Sequence, residues 1–464
     1  MSQHQRLGQE PIDKLLLSMM MSASAGMLTI MLYNTVDTIF IGHFVGSQGI
    51  AAVTLAYPIS LLLPTLGMAI GAGAGSLMSR KLGQGDVHNA RHTYGNGFSL
   101  ALVLCLLAST LAYLFTDPIL TLFGANEETH ELAKSYYHIA LIGIPFLGSW
   151  MSMNQMLRAE GLARLSMNSM WLSSFLNIIL DAIFIALLDM GLEGAALATV
   201  ISQISGWVFS ISIYLRKKSS MRLQTKFFSW QKSLIKEIVA LSGIAFGRQV
   251  GDAILLIALN KFLLMYGGPL LIAAYGIINR LQTLMMVPII GLNQSFIPIA
   301  GYNFGARRYD RVISAFIKSI LYGLVFSYIL VAIVWLAPEF FIGWFTTEAD
   351  LINATLSGLK LIILCMPLVI FQTVGAAYFQ AMGKPLAGLV MTSSRQLLLM
   401  TPLLFLLTPG LGLKGIWLSF PVANTIGAVL VILLFRYILA GLKNKHRALE
   451  QEEQLRGQAD KTVN

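Results

Sequence analysis

The sequence predicts an all-α polytopic membrane protein. Twelve transmembrane helices are expected, in two six-helix bundles related by a pseudo-two-fold axis along the membrane normal. Three observations carry this reading. Hydrophobic residues fill 56% of the 464 positions and charged residues only 12%, against ~45–50% and ~25% in soluble domains. Apolar runs reaching the ~18–20 residues needed to cross a hydrocarbon core recur along nearly the whole chain. The second half of the chain also repeats the first.

The elements follow in order. Residues 1–13 are polar, and an apolar run then extends from near Leu15 to about Ile41. That is far longer than the ~7–15-residue core of a cleaved signal peptide, so it reads as a retained first span, 14–42. The second span, 50–79, contains Pro58, Pro64, Gly71, Gly73 and Gly75, which allow bending and close helix packing. Gly83-Gln84-Gly85-Asp86 ends it. Spans 93–115 and 132–157 follow, Gly161-Leu162-Ala163 turns the chain into 165–188, and 191–215 completes the half. The second half reads as 236–265, 271–302, 312–335, 351–382, 387–408 and 412–438, with Pro288, Gly291, Pro298 and Gly301 in its second span. Gly383-Lys384-Pro385 separates 351–382 from 387–408. The expected organisation is therefore a first lobe (1–216), a basic linker (217–235), a second lobe (236–441) and a charged tail (442–464). Cys105 and Cys365 lie in separate spans and read as packing residues.

Matching segments define the repeat. Ile50-Ala51-Ala52 recurs as Ile272-Ala273-Ala274, Pro145 as Pro367, and Ala159-Glu160-Gly161 as Ala381-Met382-Gly383, all 222 positions apart. Gly191-Leu192-Glu193-Gly194 recurs as Gly412-Leu413-Lys414-Gly415 at 221, implying a one-residue deletion. Six spans per copy is an even number, so both copies enter the membrane from the same side.

The net charge of +10 follows the topology. Arg216, Lys217, Lys218, Arg222, Lys226, Lys232 and Lys236 crowd one connection, and Arg80, Lys81, Arg91, Arg158, Arg164, Arg307, Arg308 and Arg311 occupy others on the same side. The alternate connections carry Asp117, Glu127, Glu128, Glu131, Asp189, Glu193, Glu339, Glu348 and Asp350. The positive-inside rule then puts both termini and the basic loops in the cytoplasm. Such loops suit a lipid bilayer with anionic headgroups, and no nucleic acid is expected as a partner.

Ionisable groups inside spans are costly and so mark candidate functional sites. Asp37 lies in the outer part of the first span, with Asn34 three residues earlier on the same face. Asp181 lies in the outer half of the fifth span with Asn177 one turn before it, and Thr199 reaches similar depth in the sixth. Asn154 in the fourth lies nearer the cytoplasmic end. The positions equivalent to Asp37 and Asp181 in the second half are Leu259 and Leu403 (or Pro402, allowing for the deletion). A carboxylate needed to fold the repeat would be expected in both copies, so this asymmetry favours a role in a transport cycle. Desolvation and like-charge proximity both disfavour ionisation of such a pair, which suits groups that take up protons on one side and release them on the other. In the second half, Arg248 and Asp252 are one turn apart and read as a mutually neutralising pair. Arg280 and Arg395 lie deep enough to face a central cleft.

No GxxxxGK[ST] loop, HExxH or CxxC occurs, and the seven His are scattered. No cofactor and no metal site is therefore expected, and no convergent catalytic cluster argues for an enzyme.

The chain closely resembles the multidrug and toxic compound extrusion (MATE) family from about residue 12 to 440. The resemblance rests on Val36-Asp37-Thr38-Ile39-Phe40-Ile41-Gly42, Ser79-Arg80-Lys81-Leu82-Gly83, Ala159-Glu160-Gly161 and the Gly-Leu-x-Gly before spans six and twelve. It implies a bacterial inner-membrane antiporter, expected as a monomer, that expels small organic cations and drugs in exchange for H+ or Na+. The first-half set resembles the DinF-like branch, which implies cation coupling by Asp37, Asn154, Asn177, Asp181 and Thr199. Candidate substrate contacts are Asp37, Asn34, Tyr136, Asn154, Asn177 and Gln372. The NorM-like branch also uses acids on spans seven and ten. Here Asp252 matches in part, and Gln372 is the nearest polar group in span ten. A proton-coupled multidrug exporter is the leading reading, and a Na+-coupled one its nearest rival. A lipid-linked precursor flippase would need several basic residues lining the cleft.

Overall fold

The computed structural model describes residues 3–125, 127–216, 219–221 and 224–463. Lys217, Lys218 and Arg222 of the basic linker lie outside the described residues. All regular structure among the described residues is helical. A helix satisfies every backbone polar group within one segment, which a hydrocarbon environment demands.

In the first half the long helices are α1 (Ile12–Phe40), α2 (Ser47–Gly83), α3 (Val87–Leu114), α4 (Glu127–Ala159), α5 (Ala163–Asp181) and α6 (Gly191–Leu215). Two of them run directly into π-helical turns, α1 into Ile41–Val45 and α5 into Ala182–Leu187. Helical structure then covers Lys232–Gly305, divided at Gly268 (φ 64°, ψ −159°) into an earlier arm, α7, and a later arm, α8. There follow α9 (Tyr309–Leu336) and α10, which bends by 40° between Ala349–Leu364 and Met366–Ala381. Next comes α11, in which Pro385–Ser393 and Thr401–Leu411 are joined by a π-helical turn at Ser394–Met400. The last helix, α12, covers Leu413–Val463. It extends through the charged tail, whose Ala, Glu, Gln, Leu and Lys are good helix formers. Among the described residues nine helices are long and apolar enough to cross a membrane, or ten counting the bent pair. That tally takes Lys232–Gly305 as a single helix.

The repeat is written into the turns. Gly46 and Gly268, and Gly161 and Gly383, are pairs 222 positions apart with positive φ in both copies. Gly191 and Gly412, 221 apart, have φ of 57° and 56°. Glycine takes this left-handed backbone without a Cβ penalty, so the two halves end equivalent helices in the same way.

The described chain forms two compact units, Met1–Gln9 with Met21–Phe246, and Glu10–Met20 with Gly247–Asn464. In the first, α2 lies against α4 at glycines. A methyl group at Gly67 would stand 2.2 Å from the Gly148 carbonyl oxygen, and one at Gly71 would stand 2.4 Å from Ser152 Cα. Small residues one turn apart thus set a close helix crossing. In the second unit, Asp13 at the base of α1 forms an ion pair with Lys318 (2.5 Å) and accepts a hydrogen bond from the Tyr322 hydroxyl.

The linker is more than a basic connector, because its described part is docked on the first unit. The Asn96 side chain donates to the Ser229 carbonyl (3.0 Å) and accepts from the Gln231 N–H (2.9 Å). Phe227 is buried, and its carbonyl presses on Gly95, where a methyl group would stand 2.2 Å away. Glu160, fully buried beyond the end of α4, accepts from the Ser219 hydroxyl (2.5 Å) and the Ser220 N–H, while Arg91 Nε donates to the Ser220 carbonyl (3.0 Å).

Candidate cation-coupling site

Asp37 lies on the last turn of α1 before the π-helical turn, and Asp181 is the final residue of α5 before the other. Such turns lack the regular i→i−4 ladder and recur at functional positions. Asp181 is fully buried, and neither of its carboxylate oxygens has a hydrogen-bond partner. Asp37 Oδ1 is likewise buried and unpartnered. Asn177 is buried on the same helix as Asp181, its Nδ2 donating to Thr199 Oγ1 on α6 (3.4 Å) while its Oδ1 has no partner.

Two tyrosines complete the group. Tyr136 on α4 and Tyr33 on α1 are close enough for both carboxylates to act electrostatically on their hydroxyls, and Asp37 acts on Asp181 in the same way. The sequence signal for Tyr33 is its position four residues before Asp37, on the same helix face, and the more polar Asn34 one position away masks it. Tyr136 also belongs to an apolar cluster with Ile41, Ile185 and Leu192. No hydrogen bond from these neighbours reaches Asp37 Oδ1 or either Asp181 oxygen, in a setting where charge is expensive.

The other candidates have different surroundings. Asn34 is exposed, and the side-chain oxygen of Asn154 is occupied by the hydroxyls of Ser166 (2.8 Å) and Ser169 (3.0 Å). Asn154 Nδ2 donates to the Trp150 carbonyl (3.1 Å), and Arg158 extends the same network to Ser166 (2.6 Å). Gln372 belongs to the second unit, buried over Gly427 with both amide atoms unpartnered. At the second-half equivalents of the carboxylates, Leu259 is fully buried in an apolar cluster and Leu403 packs against it. What one half holds as a carboxylate pair, the other fills with leucine.

The expected Arg248–Asp252 pair does not form. Asp252 Oδ1 accepts from Gln396 Nε2 (2.7 Å) and lies 3.9 Å from Arg395 NH2. The π-helical turn in α11 delivers both partners, and helix spacing alone could not reveal that. Arg280 stacks over Phe345 (5.9 Å). No group of three His, Cys, Asp or Glu that could hold a metal ion occurs among the described residues.

With this geometry established, comparisons identify similar proteins. The chain matches the MatE family over residues 23–183 and 249–406. It is 29% identical to the multidrug export protein MepA of Staphylococcus aureus (strain MSSA476), over 92% of this chain and 95% of that one. It is 26% identical to an FAD transporter of Shewanella oneidensis, over 93% and 96%. Among solved structures, a MATE protein in a bent conformation superposes with a TM-score of 0.90 at 25% identity, covering 96% of this chain and 99% of that one.

Proposed function

The chain belongs to the MatE family of multi-pass multidrug efflux transporters, and from that premise we propose that it is a proton-coupled antiporter exporting small organic cations by alternating access. The observation that carries the reading is the Asp37–Asp181 pair, with Asp181 fully buried, Asp37 Oδ1 and both Asp181 oxygens lacking hydrogen-bond donors, and leucines at the equivalent positions of the other half. Protonation neutralises the pair and removes its attraction for a cation. Loss of the protons leaves negative charge in a medium of low polarity, where a cationic drug is held strongly. Proton and drug then compete for the same carboxylates, and competition for one site is the simplest form of exchange. Asn177 and Thr199 orient the Asp181 side of the site, and Tyr33 and Tyr136 supply hydroxyls and ring faces. The multidrug export name of the Staphylococcus aureus relative supports organic substrates.

The alternation of basic and acidic loops supports a bacterial inner-membrane orientation with both termini in the cytoplasm. A Na+-coupled version has one specific observation in its favour: Asp37, Asp181 and Asn177 all present oxygens lacking a donor, as an oxygen-ligated cation requires. Dye transport in inverted vesicles, with pH and Na+ gradients imposed separately, decides between them. Proton coupling predicts transport under the pH gradient alone and no stimulation by Na+.

A further inference from the structure

The second unit holds a charged group that the cation-coupling site does not use. On α7, Gly247 and Gly251 bring the helix against α11. A methyl group at Gly247 would stand 2.3 Å from Leu389 Cδ1, and one at Gly251 would stand 3.3 Å from Gln396 Cβ. Arg248 and Asp252 each follow one of these glycines, so they lie beside that contact, one turn apart. The π-helical turn Ser394–Met400 contributes the consecutive pair Arg395 and Gln396. Gln396 holds Asp252 Oδ1 at 2.7 Å, whereas the Arg395 guanidinium is 3.9 Å from the same oxygen. That is an ion-pair distance but not a hydrogen bond, and not the bidentate grip that would consume the guanidinium.

Charge is unbalanced here. The Arg395 guanidinium faces the one carboxylate, Asp252, and Arg248, which pairs with neither, is near enough to act electrostatically on Arg395. Among the described residues no other carboxylate pairs with either arginine, and Arg248 makes no hydrogen bond. The side chains of Arg395 and Asp252 are 25% and 47% exposed, so the group is not sealed among its neighbouring helices. Tyr275 on α8 borders both. An excess cation among apolar helices is stabilised by an anion that can approach its free N–H groups.

We infer that Arg248 and Arg395 form an oxyanion-accepting subsite for the carboxylate of zwitterionic export substrates, with Asp252 and Gln396 positioning Arg395. The inference rests on the export reading above and adds a substrate class to it. Molecules carrying both an amine or iminium and a carboxylate would be recognised by the second unit through the carboxylate. A substrate lacking the carboxylate would leave the arginines unsatisfied and gain nothing from them.

The test uses the full-length protein in inverted vesicles and two dyes of one skeleton. Tetramethylrhodamine bears a free carboxylate, and its methyl ester does not. The quantity measured is the ratio of kcat/KM for the free acid to that for the ester. We expect Arg248→Gln and Arg395→Gln each to lower this ratio about tenfold, the scale of one lost charge-assisted contact, through the KM of the free acid. Arg395→Lys should recover part of it. Arg248→Gln keeps the test sound should Arg395→Gln fold poorly, because Arg248 has no hydrogen-bonded partner to strand. An unchanged ratio overturns the inference, as does equal loss for both dyes, which a structural role or a bound lipid phosphate would give. Wild-type transport of the ester alone also overturns it. Wild-type transport of neither dye overturns the export reading, and the inference with it.

Discussion

A carboxylate buried beside tyrosines with no donor to meet it destabilises the fold, and removing the charge relieves that cost. Asp181 shows this most sharply, since both of its oxygens are unpartnered. We therefore expect Asp181→Asn and Asp37→Asn each to abolish coupled efflux while the melting temperature in detergent stays at or above wild type. Asn154→Ala should behave in the opposite way. It strips the acceptor from Ser166 and Ser169 and should cost about 1–3 kcal/mol of stability. Efflux assays run beside thermal unfolding separate the two classes, and a loss of stability at Asp37 or Asp181 would reassign those residues to structure. The two aspartates were legible from sequence because the repeat supplied an internal control, Leu259 and Leu403. Tyr33 and the Arg395–Asp252 pairing were not. The first depends on which neighbour a helix face presents, and the second on a local π-helical turn that no regular periodicity encodes.

At the scale of elements, glycines carried most of what sequence revealed, because a left-handed turn demands them. The Gly161 and Gly383 turns lie where the repeat placed them, with φ of 86° and 74°. The docking of the linker was hidden, since a serine pair amid basic residues gives no periodic signal. Its latch is Glu160. Burial pushes this carboxyl above its ordinary value of 4.5, and the hydrogen bonds from Ser219 and Ser220 pull it only part of the way back. The folded state thus binds the proton more tightly than the unfolded state does. The resulting contribution to stability is fully present below the unfolded pKa and is lost as pH rises through the folded one. Tyr94 on α3 and Tyr214 on α6 also feel this carboxylate, and Arg91 and His4 meet Ser220 from the other side. Tryptic cleavage of the linker in inside-out vesicles should therefore rise with pH in the wild type and stay flat in Glu160→Gln, when each is scaled to an unrelated tryptic site. Glu160→Ala, which strands the Ser219 hydroxyl and the Ser220 N–H, should speed cleavage about tenfold at every pH. An identical pH response in wild type and Glu160→Gln would remove Glu160 from the latch.

For the whole molecule, the proposed orientation and driving force are linked, because a proton-coupled exporter with cytoplasmic basic loops would take up protons from the acidic-loop side. Impermeant labelling of single cysteines should reach a site beside Glu348 from outside intact cells, and a site beside Lys226 only after the cells are opened. Labelling of the Lys226 site from outside would invert the topology. The driving force then depends on how many protons the pair carries. If one H+ exchanges for one monovalent cation, no net charge crosses and the membrane potential has no effect. The pH gradient alone remains, at roughly 1.4 kcal/mol per unit, which supports about a tenfold drug gradient. If Asp37 and Asp181 each cycle a proton, one net charge enters per turnover and adds about 2.3 kcal/mol per 100 mV, roughly another fiftyfold. Asp37 is near enough to act electrostatically on Asp181, and coupled groups can share a single titrating proton, so their number does not fix the stoichiometry. That Asp37 Oδ1 and both Asp181 oxygens are buried without a donor favours two, because each carboxylate is then best neutralised by a proton of its own when the site is empty. In proteoliposomes at zero pH gradient, a valinomycin-imposed potential, negative on the side of the cytoplasmic face, should therefore drive uphill export of a monovalent substrate. A normal response to a pH step with none to that potential would show that the pair moves one proton per cycle.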